Sequence, residues 1–104
     1  MNFELLKRLA LTPGVPGREH RIRDLIREEV DGLFDEVRTD TMGSLVCIRR
    51  PPKKAKGKAP LRVMLAAHMD QIGFLVRHID DKGFVRVVPV GVFDTRNLFA
   101  RLVT

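Results

Sequence analysis

The stretch Leu61-Arg62-Val63-Met64-Leu65-Ala66-Ala67-His68-Met69-Asp70-Gln71-Ile72-Gly73-Phe74 decides how this chain is read. Its opening run, Leu61 to Ala67, is nearly all apolar, the pattern of a strand buried on both faces in the middle of an α/β sheet. His68 and Asp70 follow directly. Residues two apart in a strand point to the same side, so the two converge if the extended conformation lasts to Asp70. An imidazole held there can bind a divalent metal through one ring nitrogen. The carboxylate can accept a hydrogen bond from the other nitrogen and set its tautomer and orientation. Spacing alone leaves open a purely structural histidine at a strand end. A catalytic zinc takes about three protein ligands and an open position, and His68 is one. His20 falls early in a predicted helix and His78 in a predicted hairpin, so neither has the look of a companion ligand. Ser44, the single serine, sits in a turn without a nucleophile-elbow pattern, which argues against a Ser-His-Asp arrangement.

Upstream of this stretch, Asn2 is placed to cap a first helix with Phe3, Leu5, Leu6 and Leu9 on its apolar stripe. Thr12-Pro13-Gly14-Val15-Pro16-Gly17 ends it. A second helix is predicted from Arg18 to Phe34, since Ile22, Leu25, Ile26, Val30, Leu33 and Phe34 repeat with the helical period. Its charged face, including Arg23 and Arg27, reads as solvated surface. Val37–Thr39 and Leu45–Arg49 are expected to pair as a hairpin around Asp40–Ser44. Cys47 reads as a small packing residue, because nothing near it in sequence would activate a thiol. Downstream, Ile72–Ile79 and Phe84–Val90 are predicted strands joined at Asp80-Asp81-Lys82-Gly83. After the break at Gly91–Asp94, Leu98–Val103 is expected to begin another strand.

Composition is that of an ordinary globular chain: 104 residues, 44% hydrophobic and 31% charged. No apolar run is long enough to span a membrane, and the N-terminus lacks a secretory h-region. With one cysteine, a reducing cytoplasm is the expected location. The net charge of +6 sits in residues 49–60, RRPPKKAKGKAP, which carry six basic and no acidic residues. A solvated loop is the reading of this segment, with contact to RNA or an anionic membrane as the alternative. The absence of Trp and Tyr leaves no stacking platform for nucleic acid. An α/β sheet needs helices on both faces. Two helices, both early, leave the predicted core strand under-covered, so the chain is expected to be a fragment or to need a partner.

The longer string Leu65-Ala66-Ala67-His68-Met69-Asp70-Gln71-Ile72-Gly73-Phe74, continued by Val76-Arg77-His78-Ile79-Asp80-Asp81-Lys82-Gly83-Phe84, resembles the M42 family of metallo-aminopeptidases, the glutamyl and deblocking aminopeptidase group. The resemblance extends to Leu11–Gly17, to Asp40–Leu45 and to Gly91–Asp94. It implies that His68 is a metal ligand in a two-metal centre of zinc or cobalt, and that Asp70 orients His68. It also implies an α/β fold in two parts. Residues 1–73 would be the N-terminal part of a metallopeptidase-type catalytic domain, and residues 74–104 the start of a β-rich inserted dimerisation domain, incomplete here. The implied function is metal-dependent hydrolysis of N-terminal residues from peptides, with a homo-oligomer or complementary chain as partner and no nucleic acid or membrane. Similar strings carry glutamate where this chain has Gln71. The other metal ligands and the general-base glutamate have no counterpart in this sequence. The isolated chain is therefore expected to be inactive and not to retain the metals, and a non-catalytic assembly module is the alternative.

Overall fold

The computed structural model describes residues 2–51 and 61–103. Helix α1 (Phe3–Leu11) begins where Asn2 Oδ1 accepts from the Leu5 N–H at 3.2 Å. It ends at Thr12, whose N–H and hydroxyl both donate to the Arg8 carbonyl, at 3.1 and 2.7 Å. Pro13 cannot extend the helix. Helix α2 (His20–Glu29) is shorter than its apolar period predicts. The Leu33 N–H bonds back to the Val30 carbonyl at 3.0 Å, and Gly32 takes φ +71°. That turn leads the chain out of the helix, so Leu33 and Phe34 leave the apolar stripe and are exposed. An Arg8–Glu29 ion pair links the ends of the two helices.

Strands β1 (Glu36–Thr39) and β2 (Leu45–Ile48) pair antiparallel, with Glu36 opposite Ile48 and Thr39 opposite Leu45. Strands β3 (Gly73–Ile79) and β4 (Val85–Val90) form a second antiparallel pair, with Gly73 opposite Val90 and Ile79 opposite Val85. A bulge falls between Val76 and His78, leaving Arg77 as the extra residue. Both hairpins turn in the same way. Asp40 Oδ1 accepts from the N–H groups of Met42 and Ser44, each at 2.9 Å. Asp80 Oδ1 accepts from those of Lys82 and Phe84, at 3.0 and 2.9 Å. Gly43 and Gly83 supply the positive φ, +92° and +84°. The two turns are spelled alike in the sequence, Asp-x-x-Gly.

Two expectations are corrected. Leu61–Ala67 forms no strand. A strand exists only through a ladder partner, and each hairpin pairs within itself. Leu61–Ala67 pairs with neither hairpin, and Leu65 stays 94% exposed. Leu98–Val103 likewise forms no strand. Asp94 starts a 3-10 helix (Thr95–Leu98) by accepting from the Arg96 N–H at 3.0 Å, and the Arg101 N–H turns back onto the Leu98 carbonyl at 3.2 Å. Most of residues 49–60 lies outside the described residues. Arg50 is described, and it is engaged: its N–H donates to Asp35 at 2.5 Å and its guanidinium to Glu36 at 2.6 Å.

Among the described residues only Gly14 and Ile22 are buried, and they touch. A Cβ on Gly14 would lie 2.6 Å from Ile22 Cγ2, so the contact requires glycine. The accessible surface is 9933 Å², whereas size scaling gives a folded monomer of this mass about 5,900 Å². The radius of gyration is 19.2 Å, against about 13 Å for a compact chain of this length. Apolar side chains lie open on 61–65 and on β3–β4.

Gly14→Ala is expected to destabilise the chain by about 1–3 kcal/mol through overpacking against Ile22, read from the midpoint of urea unfolding. Near the C-terminal end, Arg96 hydrogen-bonds Asp94 and holds its carboxyl below the usual carboxylate range. That interaction is present above the ordinary titration range of an aspartate and is lost as pH falls through the lowered one. Arg96→Ala should return the Asp94 titration toward the ordinary range, followed by NMR.

Candidate functional site

His68 and Asp70 meet, although the backbone carrying them is not a strand. His68 Nδ1 lies 3.2 Å from Asp70 Oδ1 and 3.0 Å from the Asp70 backbone oxygen. Both oxygens are acceptors when the carboxyl is ionised, so Nδ1 carries the proton. That assigns the tautomer and leaves the Nε2 lone pair as the donor available to a metal in neutral His68. The His68 side chain is 84% exposed and that of Asp70 39% exposed, so the pair sits at a surface lip.

The loop bearing this pair is anchored to the turn that follows α1. The Gln71 N–H donates to the Gly14 carbonyl at 2.9 Å, and Gln71 Nε2 donates to the Thr12 carbonyl at 3.3 Å. Gly73 lies so close to Val15 that a side chain at position 73 would overlap Val15 Cγ1. Gly14 thus supports the loop with its carbonyl while its Cα face receives Ile22.

A cavity of about 440 Å³ opens beside the pair. Ala67 to Asp70 form one wall, the first hairpin (Met42, Leu45, Cys47) another, and Ile26 of α2 contributes apolar surface. Two arginines hold the hairpin to α2. Arg23 Nη1 donates to the Gly43 carbonyl at 2.9 Å in a part-buried bond, and Arg27 Nη2 donates to Thr39 Oγ1 at 2.7 Å. Both had read as solvated helix surface. Their spacing of four residues, which puts both guanidinium groups on one helix face, is the signal that could have found them. Cys47 is half-buried and lines the same cavity as His68, a proximity that the sequence does not show.

The other histidines lie in other elements. His20 opens α2, and His78 stands opposite Arg86 in the second hairpin. Among the described residues, no group of three His, Cys, Asp or Glu side chains is arranged to hold a metal ion. Residues 52–60 contain none of these types. The donor set therefore fits a contribution of one ligand to a metal centre, not a complete one. Among the described residues, no helix is long and apolar enough to cross a membrane.

Replacing Arg23 by Leu is expected to cost about 1.5–3 kcal/mol, the range for a hydrogen bond from a charged group. Urea unfolding measures the loss, and hydrogen exchange at Met42 and Ser44 should show that it centres on the first turn.

The profile of the M42 glutamyl aminopeptidase family matches residues 43–104. A putative aminopeptidase of Acetivibrio thermocellus is 47% identical over 89 residues, covering 86% of this chain and 25% of that protein. The lysyl aminopeptidase of Pyrococcus furiosus is 45% identical over 92 residues, covering 88% of this chain and 25% of that protein. Among solved structures, an aminopeptidase from the archaeon Desulfurococcus kamchatkensis superposes with a TM-score of 0.79 at 37% identity, covering 91% of this chain and 25% of that one. This chain thus spans about a quarter of the length of these relatives, and its fold matches a segment of an aminopeptidase α/β structure.

Proposed function

This chain belongs to the M42 glutamyl aminopeptidase family, and on that premise we propose that it is a segment of a metal-dependent enzyme that removes N-terminal residues from peptides. The observation that carries this reading is the His68–Asp70 contact, which holds Nδ1 and leaves Nε2 for a metal. In it, His68 is a metal ligand and Asp70 is the residue that orients it. A two-metal centre of zinc or cobalt would, when bound, lower the pKa of a water molecule and polarise the scissile carbonyl. The part played by this chain's own residues is narrower. Asp70 keeps the proton on Nδ1 and fixes the ring plane, and the Thr12–Val15 turn holds the loop that carries both.

One imidazole does not hold a hydrolytic metal. The remaining ligands and the general base must come from polypeptide beyond the described residues, so the 104 residues alone are expected to be inactive. The separate β3–β4 hairpin that starts at Gly73 supports a catalytic portion over residues 1–73 and the start of a β-rich inserted dimerisation portion over residues 74–104. The open apolar faces support assembly, with further copies or with a complementing chain. A free thiol at Cys47 accords with the cytoplasm.

The test places this chain in the polypeptide that supplies the missing ligands and follows metal-dependent release of an N-terminal residue from a peptide. His68→Ala should abolish the activity. Asp70→Ala should lower activity or metal affinity by about 10–100-fold, the usual effect of removing the group behind a ligating histidine. Full activity in His68→Ala would sink the reading.

A further inference from the structure

We propose that Gln71 is a positioning residue for the His68–Asp70 pair, acting as a two-point clamp through the donor capacity of its side-chain amide. The inference rests on the reading of His68 as a ligand, and it assigns a role to a residue that the reading itself leaves unused.

Gln71 reaches the post-α1 turn twice, through its backbone N–H to Gly14 O at 2.9 Å and through Nε2 to Thr12 O at 3.3 Å. One hydrogen bond would fix the loop's distance from the turn and leave it free to rotate about that bond. Two bonds from the same residue, to carbonyls two positions apart, fix the rotation as well. Asp70 is the adjacent residue, and its backbone oxygen and side chain both face His68 Nδ1. Without the second anchor the backbone torsions at residues 70 and 71 are no longer fixed from outside, and a turn of the peptide at Asp70 relative to His68 would carry both Asp70 acceptors away from the imidazole. The clamp therefore sets the geometry that keeps the proton on Nδ1.

The chemistry of the side chain is specific. Thr12 O is a carbonyl, so its partner must donate. The Gln71 amide can donate. An ionised carboxylate cannot, and it would instead place negative charge against the Thr12 oxygen. The difference between glutamine and glutamate here is the presence or absence of the second anchor. Thr12 is itself fixed, because its N–H and hydroxyl both donate to Arg8 O at the end of α1. The second anchor thus ties the loop to a helix end.

The experiment separates donor from shape in the full 104-residue chain, by NMR and without metal or substrate. Gln71→Leu keeps bulk and loses the donor, Gln71→Glu keeps shape and loses the donor at neutral pH, and Gln71→Lys keeps a donor. Two signals are read. One is hydrogen exchange of the residue-71 amide, with the Lys82 and Phe84 amides of the second hairpin as internal reference. The other is the ¹⁵N signature of the His68 tautomer. In Gln71→Leu and Gln71→Glu, exchange at residue 71 should rise about two- to twelvefold, the effect of one lost neutral hydrogen bond. The His68 signal should move away from the Nδ1–H form in both. Gln71→Lys should stay near the wild type in both signals.

An unchanged His68 tautomer in Gln71→Leu and Gln71→Glu would overturn the proposal. So would equal losses in all three variants, because Gln71→Lys keeps a donor and should then have been spared. Loss of protection at Lys82 and Phe84 would also overturn it, because a local clamp leaves the second hairpin untouched. None of these readouts depends on peptidase activity, so the clamp can fail while the aminopeptidase reading stands, and the reverse.

Discussion

The contact on which the rest depends is the one at Gly14. Its missing side chain lets Ile22 of α2 close onto the backbone, and its carbonyl receives the Gln71 N–H. Three separate parts of the chain meet there: the turn after α1, the buried face of α2, and the loop bearing His68. Because Gly14 and Ile22 are the only buried residues among those described, the junction has little surrounding core to support it. The position of His68 relative to the helices is set by this seam and by the neighbouring approach of Gly73 to Val15.

A second layer of polar contacts builds the cavity beside His68. Arg23 and Arg27 act on the first hairpin from one face of α2, so the wall carrying Met42, Leu45 and Cys47 is placed by guanidinium–backbone and guanidinium–hydroxyl bonds more than by apolar packing. Hydrogen bonds are directional, whereas a small apolar contact tolerates sliding. A site with little core around it can therefore still hold a defined shape. The open apolar surface of 61–65 and of β3–β4 points the other way, toward completion by further protein.

Much of the local structure was legible in the residues. Asn2 and Thr12 mark the ends of α1 by chemistry that acts within one helical turn. Asp40 with Gly43, and Asp80 with Gly83, spell their turns by hydrogen bonds spanning at most four residues. The convergence of His68 and Asp70 was also foreseen, although the route was different. It arises from one side chain reaching the backbone and carboxylate two residues on, without a strand to direct it. Helix α2 ends before its apolar period does, because Leu33 and Phe34 continue the period past Gly32 and periodicity does not register a left-handed glycine.

The sequence by itself determined the caps, the two turns and the string around His68, because each depends on groups a few residues apart. Only the tertiary structure decided the rest. Leu61–Ala67 has the composition of a buried strand, but a strand exists only where its backbone is paired, and no described strand pairs with it. Gln71 reads as an incidental neighbour of the motif until Thr12 and Gly14, 59 residues away for its side-chain bond, are brought against it. Hydrophobicity records a preference for burial, and folding determines whether a partner is present to meet it.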